Sequence, residues 1–591
     1  MTKSSIPFVG LHAHSGVGSP FDGLGYPGEH MDFAFENGND ALALTDHGNM
    51  NGLAYQVQHA QKMQKEGKNF KPIFGIEAYF LPSLSKWREQ LEQHRQDKKK
   101  KREIDKTKSG TTIEDEGSKR AAKQTLNKRQ HLILLAQNQT GLNNIFKLNS
   151  KSFDGDSFYR YPRMDYKMLR KHNEGIIAAS ACMGGVYAAC YWDNSERNEE
   201  GKIVSVNHAQ MISDMRTVTM DMMDIFGDRW YGELQWNAEP IQHEINKAII
   251  QMHHEMGLPL ISTADSHYPS DTAWKDREMY KRLGWLGKGH FPSWMSAELP
   301  ESVDSIGYEL YPKNGDQMWA AYKHYSEQTG IEYNDDLIRD SIERTHQIAH
   351  ERIESFMPDN EVRLPSFVVP EGQTADTTLV SACIDGLRGL KLENDKEYIE
   401  RLREELNVIS DRGFSKYFLT MRAIAHKANE VQLSGAGRGS AAGSLVAYAL
   451  GITQVDPIKY NLLFSRFLRK DAKDYPDIDY DVSDPMELKE MLIEEWGSNT
   501  VVPISNFNTL QLRSLIKDIS KFYDVPFIEA NAVTSKMLAE ATPIAKKVHG
   551  IKAGVYTPTF EEVMEYSDSL KRYLIKYPHI KDHVKNLYGE V

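Results

Sequence analysis

Asp477, Asp479 and Asp481 alternate through the segment PDIDYD. On a strand, residues i, i+2 and i+4 face one side, so this spacing gathers three carboxylates on one face. Like charges so placed repel, and nothing structural needs them there. Hard divalent cations reverse that cost, because Mg²⁺ prefers carboxylate oxygen. Upstream, SGAGRGSAAGS sets Gly435, Gly437, Gly439 and Gly443 around Arg438, Ser440 and Ser444. Glycine allows positive φ and close backbone approach. Consecutive amides in such a loop form an anion-binding concavity, and a following helix N-terminus adds its positive end. The apolar run LVAYALGI after Ser444 is expected to be that helix, buried. A phosphate loop followed by a carboxylate strand is the layout of a two-metal phosphoryl-transfer site. Each half alone also has a blander reading, a structural turn for the glycines and a solvated acidic turn for the aspartates. A Ca²⁺ loop fits poorly, since Ile478 and Tyr480 make a strand pattern and the EF-hand glycine is missing.

A second set of chemistry-bearing residues recurs through the first half. Phe8 to Leu11, Ala41 to Thr45, Pro72 to Phe80, His131 to Ala136, Gly175 to Ser180 and Leu258 to Thr263 read as short strands. Gly28 to Asn37 and Gly52 to Gln64 read as helices between them. Alternating strands and helices predict a parallel α/β fold. His12, His14, Asp46, His47, Glu77, His131, Cys182, Asp265 and His267 stand at or near the ends of those strands, where an α/β barrel collects its functional side chains. One such histidine would ordinarily be structural, but the repetition points to a metal centre. Imidazole with carboxylate suits Zn²⁺, Mn²⁺ or Fe²⁺. Cys182 could equally be a small buried apolar residue, and Cys190 reads as one.

The elements that must position these groups sit in a chain long enough for several domains: 591 residues, 40% hydrophobic and 26% charged. No apolar run is long enough to cross a membrane, and no signal-peptide segment opens the chain. Three cysteines form no disulfide framework and fit a reducing, cytoplasmic setting. The net charge of −12 speaks mildly against nucleic-acid binding, although a basic groove can coexist with an acidic exterior. Residues 83–130 interrupt the strand pattern with dense charge, including Lys98 to Arg102 and Glu114 to Glu116. They read as a mobile or helical surface insertion, or as an arm contacting DNA. Ile399 to Ile409 is amphipathic, with Leu402, Leu406 and Ile409 on one side. Arg513 and Lys517, four apart, share a helix face that could grip a phosphate backbone or simply be solvated.

The order GAGRGSAAGSLVAYAL, Asp456-Pro457, NLLFSRFL and PDIDYD resembles the catalytic core of the bacterial replicative DNA polymerase III alpha subunits, the C family. LHAHS, LTDHGN, FGIEAYF, HLILLAQN, SACMGG and TADSHY resemble, in order, the polymerase and histidinol phosphatase (PHP) domain that begins members of that family. The resemblance covers essentially the whole chain. It implies an α/β multidomain protein: a PHP distorted (β/α)7 barrel over 1–285, the N-terminal part of a polymerase beta-type nucleotidyltransferase palm over 286–505, and a helical thumb over 506–591. It implies that Gly437, Arg438, Gly439 and Ser440 hold an incoming triphosphate, with Arg466 near the nucleotide. Asp477 and Asp479 would bind two catalytic Mg²⁺ ions, and Asp481 completes the motif. For the barrel it implies up to three ions of Zn²⁺, Mn²⁺ or Fe²⁺ on His12, His14, Asp22, His47, Glu77, His131, Cys182, Asp265 and His267. The segment between His14 and Asp22 is one residue longer than the family pattern. Relatives whose barrel set is complete include 3′–5′ exonucleases.

The family's third catalytic carboxylate, in a motif like FDFLG, does not follow Asp481, and the fingers, clamp-binding region and OB-fold are also missing. The expectation is therefore the N-terminal portion of a split polymerase. It would act on primer–template DNA and deoxynucleoside triphosphates, be completed by a second polypeptide or by protein splicing, and meet a sliding clamp through that partner. Two rival readings are a metal-dependent phosphoesterase or nuclease whose remainder binds DNA, and a non-catalytic assembly scaffold.

Overall fold

A computed structural model describes the chain except residues 1–3, 108–125, 199–200, 290, 293–294, 360, 472–474 and 553; of 97–107 it describes only the helix. Two compact units result, Met1–Pro358 with Phe507–Val591, and Asp359–Asn506. By packing, residues 286–358 go with the barrel rather than with 359–506.

The first unit is built on a curled sheet of six strands: β1 Ala41–Leu44, β2 Lys71–Phe80, β3 Gln130–Ala136, β4 Ile176–Ala179, β5 Trp230–Leu234 and β6 Leu260–Ser262, neighbours in that order. The extended segment 8–14 bridges both edges. Gly10 pairs with Leu42 and Ala13 with Ser266, and His14 N donates to Ser266 O at 2.7 Å. Seven extended segments thus run round one distorted barrel. The expected all-parallel sheet is corrected here: β3 is antiparallel to both β2 and β4. The strand β5 was not legible in the sequence, because Gly232 and Glu233 interrupt its apolar run.

The pleat sorts the core. Val9, Leu11, Ala41, Ala43, Ile73, Ile133, Leu135, Ile177, Ala179, Tyr231 and Ile261 come from all seven segments and form one cluster, the barrel interior. Leu132, Leu134, Ile176 and Ala178, one residue out of step, pack in a different cluster with the surrounding helices. Alternate residues of a strand face opposite sides, so the inward set that includes Ile133 also carries His131 and, across the register, Glu77 and Tyr79.

The charged insertion begins as the helix Leu84–Thr107. The basic run Lys98–Arg102 falls where side chains are not described, and Glu114 to Glu116 lie outside the described residues. Beyond residue 511 lie the helices Leu512–Phe522, Phe527–Val548, Phe560–Tyr566, Asp568–Lys576 and Pro578–Leu587. Leu515, Ile516, Ile519, Val563 and Val584 pack there against Leu24, Tyr268, Met279 and Tyr280 of the barrel unit.

Among its described residues the second unit's regular elements are helices, chiefly Ala375–Gly389, Lys396–Asp411, Ser415–Val431 and Pro485–Trp496. The aspartate segment was expected as a strand. Among the described residues it is extended backbone with a single bridge, Ser434 to Val482. Its burial nevertheless alternates: Pro476 and Ile478 are buried, while Asp477, Asp479 and Asp481 are exposed.

Candidate functional site

All nine side chains named for the barrel converge at one end of it. His12 Nε2 lies 3.0 Å from His14 Nε2, and both face Asp265 Oδ1, at 3.1 and 3.2 Å. Glu77 Oε1 is 3.4 Å from His12 Nε2 and 3.0 Å from His131 Nδ1, and Glu77 Oε2 meets His47 Nδ1. Asp22 Oδ2 is 3.1 Å from His47 Nε2 and 3.7 Å from His267 Nε2. Cys182 Sγ is 3.5 Å from His131 Nδ1 and 3.6 Å from Glu77 Oε1. Asp22, on the segment longer than the family pattern, is held in place by Arg277, whose Nη2 donates to Oδ1 at 2.7 Å and whose Nε donates to the Asp22 carbonyl at 2.8 Å.

The antiparallel strand explains one position. His131 stands at the start of β3, not its end, and reaches the same rim as the others because β3 runs the opposite way.

Behind the cluster stand Glu233, which sequence reasoning missed, and Asp46, which it named as a strand-end candidate. Glu233 of β5 accepts from His12 Nδ1 at 2.7 Å, and Thr263 Oγ1 and Gln235 Nε2 donate to the same oxygen at 2.5 and 3.1 Å. Asp46 binds the turn below His14, accepting from Ser15 N at 2.7 Å, Ser15 Oγ at 2.9 Å and Ser19 Oγ at 3.1 Å. The signal for Glu233 was a carboxylate inside an apolar run, where a charged side chain is rarely found unpaired.

Burial and mutual contact shift the groups of the cluster strongly. Burial opposes protonation of His12, but Asp265 and Glu233 outweigh it and raise its pKa well above the usual value. Burial and the neighbouring His47 and His267 lower His14. Burial would raise Glu77, yet His131 and His47 hold its carboxyl well below the usual range. Burial, then Glu77, pushes the Cys182 thiol well up. Burial lifts Asp46 to about 6 against its hydrogen bonds from Ser15. His47 Nδ1, Glu77 Oε2 and Asp265 Oδ1 are buried and make no well-formed hydrogen bond, facing only other members of the cluster. Buried polar atoms ordinarily have one, and imidazole nitrogens pointed at carboxylate oxygens fit Zn²⁺, Mn²⁺ or Fe²⁺.

In the second unit the glycine loop lies directly on the aspartates. Gly435 N donates to Asp481 O at 2.9 Å, and Arg438 Nη1 sits 3.1 Å from Asp481 Oδ1. Gly439 has φ +64°, and a Cβ there would stand 2.3 Å from Asp479 Oδ2. Gly437 and Ser440 are exposed on the same loop, and Arg466 is exposed on the turn Phe464–Arg466. Three exposed carboxylates on one face, with one guanidinium on the third, are a donor set that fits Mg²⁺.

The helix after the loop is buried as expected, but its N-terminus is not free for an anion. It is a short buried piece, Leu445–Ala449, and its N-terminus is already capped. The buried Glu405 carboxylate accepts from Ser444 Oγ at 2.9 Å and from the amides of Leu445 and Val446 at 3.0 Å each. Arg401 pairs with it at 2.7 Å and also donates to the Gly443 carbonyl at 2.8 Å. That helix end therefore serves an internal carboxylate, and any anion must use the loop amides instead.

Arg513 is exposed and Lys517 half-buried on the helix Leu512–Phe522, with Lys517 Nζ 5.7 Å from the Phe527 ring centre. No helix among the described residues is long and apolar enough to cross a membrane.

Residues 10–237 match the PHP domain, and residues 377–585 match the bacterial DNA polymerase III alpha NTPase domain. DNA polymerase III subunit alpha of Aquifex aeolicus is 31% identical over 545 residues, covering 89% of this chain and 41% of the relative. The Helicobacter pylori J99 subunit is 30% identical over 553 residues, covering 90% of this chain and 40% of the relative. The chain thus spans about two-fifths of the length of these relatives. A solved amidohydrolase from Chromobacterium violaceum is matched at a TM-score of 0.25 and 13% identity, over 46% of this chain and 96% of that one.

Proposed function

This chain belongs to the bacterial DNA polymerase III alpha family, and on that premise we propose that it takes part in DNA-templated DNA synthesis, supplying the triphosphate loop and two of the metal-binding aspartates. The observation that carries this reading is the contact of the loop with the carboxylates: the Gly439 backbone comes so close to Asp479 that no side chain fits between them. A triphosphate on the loop amides would then lie beside the metal-binding face.

Asp477 and Asp479 would hold two Mg²⁺ ions, whose charge would favour deprotonation of the primer 3′ hydroxyl and offset the charge on the leaving pyrophosphate. The chain's own residues position the reactants, since phosphoryl transfer rests on placement and charge neutralisation. Gly437, Gly439 and Ser440 offer the loop. Arg438 and Arg466 present exposed guanidinium groups to a nucleotide, and Arg513 and Lys517 offer cations to the primer–template backbone. Asp481 orients Arg438. The family's third carboxylate and fingers would complete the site, from a second polypeptide that could also bring a sliding clamp or from sequence joined to this one.

A second reading is favoured by the complete convergence of the nine barrel residues. The barrel is a metal-dependent phosphoesterase that trims 3′ ends, with Zn²⁺, Mn²⁺ or Fe²⁺ on His12, His14, Asp22, His47, Glu77, His131, Cys182, Asp265 and His267.

Primer extension with Mg²⁺ and four deoxynucleotides tests both. The chain is assayed alone and with the product of the neighbouring gene, each beside Asp479→Ala. Synthesis that needs the partner and fails in the variant supports the split polymerase. Synthesis by the chain alone refutes the need for a partner. Absence of synthesis together with Mn²⁺-dependent trimming lost in His12→Ala moves the function to the barrel.

A further inference from the structure

The opposite end of the barrel carries a cluster that neither reading uses. The helix Asp335–Gln347 runs into the π-helical turn Ile348–Arg352. Ile348, Ala349 and Ile353 join the residues lining the barrel interior, so this turn plugs the end at which the parallel strands begin. Lys71, the first residue of β2, donates to the Ala349 and Ile353 carbonyls at 2.6 and 2.5 Å and fixes the plug to the rim. His346 and His350 stand four apart across the junction of helix and turn, a spacing that puts both on one face. Their ring centroids are 4.3 Å apart. Asp40, the residue before β1, faces them, with Oδ1 3.0 Å from His350 Nε2. One donor atom from each of the three lies within 4.8 Å of the other two.

We propose that Asp40, His346 and His350 form a second metal site, for a borderline divalent ion such as Zn²⁺, that staples the plug to the first strand. Two imidazoles and one carboxylate are a zinc-type donor set. All three groups are partly open to solvent, so the ligands need little desolvation and water can complete the coordination. The ligands come from segments about 310 residues apart, so an ion here ties together parts of the chain that only the folded state brings near. An ion that binds the folded but not the unfolded chain stabilises the fold by mass action. The π-helical turn is what brings His350 beside Asp40, and such turns recur at functional positions. The cluster shares no residue with the nine at the other end, so it can be tested separately from them.

The untagged full chain is dialysed against Zn²⁺ and passed through gel filtration; its zinc content is measured, and thermal melting is recorded with and without the ion. His346→Ala/His350→Ala is expected to hold one zinc equivalent less than wild type and to show a smaller zinc-induced rise in Tm, with an unchanged circular dichroism spectrum. Asp40→Asn, an exposed change outside the helix, is expected to show the same loss and guards against a misfolded double variant. Zinc content equal to wild type in both variants, or a difference that vanishes on gel filtration, overturns the site.

Discussion

Glu233 Oε1 accepts from His12 Nδ1 at 2.7 Å, while the other nitrogen of that ring faces His14, Glu77 and Asp265. The carboxylate thereby holds the ring direction, and in the proposed metal site it would fix the tautomer that presents Nε2 to the ion. Partners of this kind typically change affinity by about 10–100-fold when removed. Glu233→Ala is therefore expected to weaken Mn²⁺ or Zn²⁺ binding by that order, read from metal content at limiting ion. Glu233→Gln keeps an acceptor and should lose less. Equal affinity in Glu233→Ala would remove the positioning role.

Gly439→Ala probes the other site. The added Cβ would meet Asp479 Oδ2 at 2.3 Å, at a φ of +64° that side chains rarely adopt. The loop must move away from the carboxylate, and displacement on the ångström scale costs on the order of 100-fold in rate. Primer extension by the complete polymerase should fall by about that much with melting little changed. Unaltered extension would mean that loop and carboxylate do not act together.

Glu405 is the buried centre on which the end of the loop hangs. Burial raises its pKa, against the hydrogen bonds from Leu445 and Val446. Glu405→Ala leaves two amides, a hydroxyl and the Arg401 guanidinium without their acceptor. Breaking a buried pair in this way costs about 3–5 kcal/mol. Hydrogen exchange should show lost protection at 444–450 in the full chain. Protection equal to wild type would show that the helix is held by packing alone.

Glu590 predicts a pH dependence. Its Oε2 accepts from Gly25 N at 3.0 Å. Burial, with Glu29 nearby, lifts its pKa from 4.5 to about 7. A carboxyl raised in the folded state stabilises the fold while it is protonated, so its contribution is full below pH 4.5 and is lost as pH rises through about 7. The loss amounts to at most about 3 kcal/mol at 1.36 kcal/mol per unit. Glu590→Gln should flatten the stability profile between those limits and stabilise the chain above pH 7. An unchanged slope would place the titration elsewhere.

Much of the local pattern was legible. Ala41–Leu44, Lys71–Phe80 and Gln130–Ala136 match expected strands within a residue or so, because fully buried strands read as short apolar runs. The helices Pro27–Glu36 and Leu53–Lys65 match equally well. Strand direction was not legible, since a single apolar run looks the same in a parallel or an antiparallel pair. β5 was hidden because Glu233, the residue that broke its pattern, is tolerated inside by its bonds to His12, Thr263 and Gln235.

The sequence by itself determined the chemistry on offer: histidines and carboxylates recurring along barrel strands, and a glycine loop paired with alternating aspartates. Side-chain type and spacing along one segment are local properties, and local steric rules suffice to read them. Tertiary structure alone decided which of these groups meet. It reversed β3 so that His131 reaches the common rim, set Glu233 behind His12 across 221 residues, and filled the helix end at Leu445 with Glu405 rather than leaving it to a ligand. Such contacts arise from packing between segments distant in the chain, and no local propensity encodes them.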